Sequence, residues 1–177
     1  MNALLRKIKL IDDMTITLPI SKVEFVRRLH DITDAGGVGG VFDVFDVYFS
    51  SKKEYKGTVN LNNFVLTRKK RFFDPGVSLA VANGTFTENN GQVTIETAVN
   101  GFHPIFIALY VFFGIFYSIA IVVLIIDINK EGFVPIPFIS GLLLQCTFMG
   151  GMPYFIMRKS VTRFKYELER EFYYLTK

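Results

Sequence analysis

The side chains of this 177-residue chain that could do chemistry are two histidines, one cysteine and a few clustered charges. His30 and His103 have no cysteine or carboxylate at metal-ligand spacing, so neither begins a metal site. Cys146 lies within an uncharged run and reads as a small apolar residue. Asp43 and Asp46 are a carboxylate pair in sequence, but on a strand a spacing of three puts them on opposite faces. The segment Gly36-Gly-Val-Gly-Gly40 lacks the Lys-Ser/Thr that completes a phosphate loop, and Phe42 stands where G-x-G-x-x-G requires glycine. It reads as a flexible connector. No Ser-His-Asp constellation can be assembled. The expectation is a protein that is not an enzyme, with no metal and no cofactor.

The one pronounced charged feature is Arg68-Lys-Lys-Arg71 followed by Phe72-Phe73. Basic residues beside aromatics suit an anionic lipid surface, at about 1 kcal/mol per charge near it. Arg68, Lys69, Lys70 and Arg71 are therefore candidate headgroup contacts, with a solvated turn as the plain alternative. Nucleic acid is not the expected partner, because acidic residues nearly balance the basic ones over residues 1–101.

These residues are positioned by an unevenly distributed apolar composition of 50%, with 19 Phe, 8 Tyr and no Trp. Residues 104–126 and 133–157 carry no charge. A membrane-crossing helix needs about 20 such residues, and the spacing predicts spans at 104–126 and 137–156. The intervening Asp-Ile-Asn-Lys-Glu-Gly of 127–132 is so short that the two form a helical hairpin, over 102–157. Gly114 and Ser118 form a small-residue pair expected to face Gly141 or Gly150. Gly150, Gly151 and Pro153 are expected to kink the second helix, with the first helix covering the freed carbonyls. Arg158, Lys159, Arg163 and Lys165 follow the second span, against Lys130 alone in the loop, offset by Asp127 and Glu131. That asymmetry predicts cytoplasmic N- and C-termini. The first residues are charged, so no cleaved signal is expected.

Residues 1–101 read as a β-rich cytoplasmic domain with an antiparallel sheet. Met14, Ile16 and Leu18 alternate with threonines. Ser21-Lys-Val-Glu24 is a capping box, with Ile20 and Phe25 spaced as a hydrophobic staple, and predicts a short helix from Lys22 to about Ile32. Asp34 to Gly40 reads as loop. Further strands are expected at 44–49, 55–61, 64–68, 77–86 and 92–99, with turns at Asn62-Asn63 and Glu88-Asn-Asn-Gly91. The last strand runs almost directly into the first span, so the domain is expected close against the bilayer. After the membrane, Val161, Phe164, Leu168, Phe172 and Leu175 mark one face of an amphipathic helix over 158–177. It is expected to cover the sheet, because no other element is left to do so. The space between them would be lined by Phe45, Phe64, Leu79, Val93, Phe164 and Phe172, either as a filled core or as an apolar ligand cavity. The fold class expected is an α+β membrane protein.

The order strand, helix, five strands, late helix is similar to the helix-grip arrangement of START-like lipid-binding domains, here interrupted by the membrane hairpin. The segments Tyr55-Lys-Gly57, Phe64-Val-Leu-Thr-Arg68 and Gly84-Thr-Phe86 also resemble a pattern in small uncharacterised bacterial membrane proteins with a β-rich domain and two spans. That resemblance implies a bacterial inner membrane and supplies no activity. The expectation is a non-enzymatic membrane protein with an interaction or scaffold domain. Its partners would be the lipid bilayer and other membrane-protein subunits of a larger assembly. The alternative is binding of a lipid or other apolar ligand between sheet and C-terminal helix.

Overall fold

The computed structural model describes residues 2–38, 53–69, 79–131 and 136–177. The chain forms two compact units: Met1–His103 with Ile156–Lys177, and Pro104–Phe155.

The first unit begins with a short helix α1 (Asn2–Lys7), which the sequence pattern did not suggest, and strand β1 (Ile11–Leu18). Helix α2 (Lys22–Asp31) follows as expected. The Ser21 side chain caps it by accepting from the Glu24 N–H at 3.4 Å. Only half of the capping box forms, because the Glu24 carboxylate turns to Arg27 and Arg28 at 2.7 and 2.8 Å. Ile20 packs against the core to which Phe25 belongs.

The next element corrects an expectation. Thr33–Ala35 is not loop but a short strand, β2, paired parallel to β3 (Tyr55–Val59). The sheet is therefore mixed rather than antiparallel throughout. Alternation, which reveals strands, says nothing about strand direction, and three residues are too few to show it. The expected strand 44–49 lies outside the described residues. The remaining strands are β4 (Asn63–Arg68), β5 (Val81–Asn89) and β6 (Gln92–Asn100), and the sheet order is β1-β6-β5-β4-β3-β2.

Between β3 and β4 the turn is centred one residue earlier than expected. The Asn60 N–H donates to Asn63 O at 2.8 Å, so Leu61 and Asn62 form the tip and Leu61 is 63% exposed. Between β5 and β6 the turn falls on Asn90 and Gly91, with φ of 53° and 76°. Both central residues have positive φ, which Asn-Gly tolerates.

The inner face of the sheet is covered by α2 and by the end of α4 (Ile136–Tyr174). Val161, Phe164, Leu168 and Phe172 are all buried there with Phe25, Leu29, Phe64, Phe86 and Ile95. Close packing fixes two glycines. A Cβ on Gly84 would strike the Phe64 ring, and one on Gly101 would strike Val161 and the Met157 carbonyl. The amphipathic helix is not a separate element: α4 runs through Gly150, Gly151 and Pro153 without a break in helix assignment.

The second unit holds α3 (Pro104–Glu131) and the first part of α4, both long and apolar enough to cross a membrane. Tyr110 Oη donates to Gly150 O at 3.2 Å, next to the carbonyl that Pro153 leaves without its helical donor. Gly114, Gly141 and Gly150 have open space over their Cα atoms, and Ser118 bonds back to Gly114 O within its own helix at 2.8 Å. The small residues therefore do not form a close helix–helix contact.

Candidate functional site

The expected ligand space between sheet and helix is the best-defined candidate, because five of its six lining residues are described. Phe64, Leu79, Val93, Phe164 and Phe172 are all buried, and Phe45 lies outside the described residues. Rings occupy the interior. Phe172 meets Phe25 edge-on at 5.4 Å and Phe64 at 5.9 Å, while Phe64 stacks on Phe86 at 5.1 Å. Phe164 lies 6.4 Å from the Tyr55 ring. Such spacings are those of aromatic pairs in contact. Burial, helped by Glu171, Glu167 and Glu54 nearby, pushes the Tyr55 phenol well above its ordinary range.

Two polar groups lie inside this interior. Ser160 is buried on α4, and its Oγ accepts the N–H groups of Leu79 and Ala80 at 2.9 and 3.1 Å. It thereby supplies acceptors that the chain entering β5 needs. Thr97 is 3% exposed, and its Oγ1 has no hydrogen-bond partner among the described residues. It occupies a position that alternation marks as inward, where an aliphatic residue would be expected.

The basic cluster is drawn inward at its first two members. Arg68 meets Glu167 at 2.6 Å, and Glu167, 14% exposed, also holds Arg163 at 2.9 Å. Lys69 pairs with Asp34 at 3.0 Å. Lys70 and Arg71 lie outside the described residues. Further polar contacts complete a belt around α4. Lys165 reaches Asp12 at 2.9 Å and donates to Asp13 O at 2.9 Å. Arg28 donates to Leu175 O at 2.8 Å. These contacts tie α4 to β4, β1 and α2. Apart from the i,i+4 pair of Arg163 and Glu167, sequence spacing gives no signal for them, because they join residues far apart in the chain.

Of the two histidines, His30 is exposed at the end of α2. His103 is 4% exposed and has a partner. Among the described residues no three His, Cys, Asp or Glu side chains are grouped as metal ligands.

Two open grooves mark the surface. One, of about 510 Å³, crosses the outer face of the sheet. Its floor is the backbone of the register row Met14, Thr97, Gly84 and Phe64, and Asp13, Asn83, Thr85 and Glu96 stand in its walls. The other, of about 870 Å³, lies between α2 and the β3–β4 turn. Val23 and Leu61, both more than 60% exposed, line it with Arg27 and His30. Val23 and Leu61 give this second groove an exposed apolar wall. No protein-family model, curated protein or solved structure matches the chain.

Proposed function

We propose that the chain is a non-enzymatic integral membrane protein whose sheet unit is an interaction or scaffold module, serving as an accessory subunit of a membrane assembly. The observation that carries this reading is a contrast between the two units. In the first, Phe25, Phe64, Phe164 and Phe172 are turned inward and fully buried. In the second, Ile107, Val111, Phe112, Ile115, Ile119 and Val122 are all at least half exposed along the uncharged stretch 104–126 of α3. Water does not tolerate a surface of that kind, whereas a hydrocarbon core about 30 Å thick accepts it. In this reading α3 and the first part of α4 span a bacterial inner membrane as a hairpin, and both termini are cytoplasmic.

The filled aromatic core favours a scaffold over a carrier of apolar ligands. A carrier needs an enclosed volume of a few hundred Å³, and rings occupy the region where the described lining residues meet. The element order still supports a helix-grip resemblance, with aromatic rings in contact where the described residues meet. The groove lined by Val23 and Leu61 is the surface that this reading assigns to a protein partner.

Extraction and reporter fusions test the proposal. The chain should remain in the membrane fraction after alkaline carbonate washing. Fusions at Lys177 should report cytoplasm, and those within 129–132 the opposite side. A carbonate-soluble chain, or a C-terminus outside the cytoplasm, would sink it.

A further inference from the structure

The apolar helices carry few polar side chains, and nearly all find partners within their own unit. Ser118 donates to Gly114 O at 2.8 Å, Thr147 to Leu143 O at 2.9 Å and Tyr110 to Gly150 O at 3.2 Å. Ser140 and Tyr154 are also engaged. Tyr117 Oη has no partner, but it is buried inside the unit and closed to another chain. Gln145 differs from all of these. Its side chain is exposed, and among the described residues nothing hydrogen-bonds its amide. It stands at the midpoint of the uncharged run 133–157. An exposed glutamine needs nothing in water. At the centre of a bilayer an amide must find a partner or bear the loss of its hydration.

Resting on the membrane reading above, we infer that Gln145 is the centre of a contact between two copies of this chain, made by α4 against α4. A carboxamide carries both donors and an acceptor, so it complements itself across a two-fold axis, as the commonest dimers require. No charge in the run calls for an oppositely charged partner instead. The surrounding face fits a helix of the same kind. Gly141, one turn earlier on the Gln145 side, has open space over its Cα, which lets a second backbone approach. Met152, two turns later on that side, is 49% exposed. At 3.6 residues per turn Gly150 lies roughly 140° around the helix from Gln145. Tyr110 of α3 reaches α4 on that other side, so α3 does not occupy the Gln145 face.

The test uses the full chain, labelled with donor or acceptor fluorophores and reconstituted in phosphatidylcholine–phosphatidylglycerol vesicles over a range of protein-to-lipid ratios. Energy transfer should follow a dimer isotherm. Gln145→Leu should weaken association by about 3- to 30-fold, the effect of one cross-helix amide pair, and Gln145→Asn should retain part of it. In a Cys146→Ser background, cysteines at Gly141 and Met152 should cross-link, and one at Leu144, about 100° away, should not. Four results would overturn the inference: a monomer at every ratio, a dimer indifferent to Gln145→Leu, cross-linking centred on Leu144, or association in cell membranes that is lost in the purified chain. The last would assign the face to a different protein. Carbonate washing of the same preparations separates the two proposals. A washed-out chain refutes both, whereas a retained chain that fails these tests refutes only the pairing.

Discussion

Replacing Phe172 by alanine should unfasten the sheet unit, and the structure supplies the magnitude. Phe172 is fully buried, and its ring is held edge-on by both Phe25 and Phe64. Phe→Ala in a core costs about 3–5 kcal/mol, and two lost ring pairs put this site in the upper half of that range. Phe164 is equally buried but contacts a different ring, that of Tyr55. Eight residues along a helix separate the two by about 12 Å, far enough for their costs to add. The double variant should therefore lose about 7–10 kcal/mol, against a typical domain stability of about 5–15. Native-state hydrogen exchange of the full chain in micelles reads this directly. In Phe172→Ala the β6 amides from Val93 to Val99 should exchange about a thousandfold faster, since each 1.4 kcal/mol is a factor of ten. Tyr166→Ala, on the exposed side of the same helix, should change nothing. Were β6 protection in Phe172→Ala to stay within about threefold of the parent, α4 would not be holding the sheet, and the core described above would be wrong.

Three more outcomes are expected. Thr97→Val removes a buried hydroxyl that lacks a partner, and should raise the denaturation midpoint by about 1 kcal/mol equivalent; a lowered midpoint would mean the hydroxyl is satisfied. Tyr55 keeps its proton in the folded state above the pH at which an unfolded tyrosine, near 10, loses it. Its contribution is thus fully present below pH 10 and declines above it, by about 1.4 kcal/mol per pH unit, and Tyr55→Phe should flatten that alkaline slope in pH-dependent melting. Finally, Arg68→Gln and Lys69→Gln should each lower stability while leaving binding to anionic vesicles nearly unchanged, because Glu167 and Asp34 already hold these charges. Loss of vesicle binding without loss of stability would restore the headgroup role to them.

Much of the architecture was legible because burial imposes a period on sequence. The alternation from Met14 to Leu18, the Asn90-Gly91 turn and the stripe from Val161 to Phe172 each reflect a local rule, and each is found where that rule puts it. What escaped reading is non-local. The parallel pairing of Thr33–Ala35 with Tyr55–Gly57, the Ser160 hydroxyl serving β5, and Arg68 reaching Glu167 all join positions with no pattern between them. The residues expected to line a cavity were the right kind for an interior. Composition alone does not say whether aromatic residues line a space or fill it; among the described residues, ring distances of 5–6 Å put Phe25, Phe64, Phe86 and Phe172 in contact.

The split of the first unit across the sequence has a consequence for biosynthesis. The strands leave the ribosome first, then the apolar helices, and only afterwards the segment bearing Phe164 and Phe172. At 5–20 residues per second, on the order of seventy residues separate the end of β6 from Phe172, a delay of several seconds. During it Phe25, Phe64 and Phe86 have no lid, and the nascent sheet is a sticky, half-finished surface. On the membrane proposal made above, the apolar helices would be handed to the insertion machinery during that same interval. A stop codon or ribosome stall anywhere before Phe164 would therefore leave a translated but unfoldable domain, a natural client for chaperones and a natural signal for degradation.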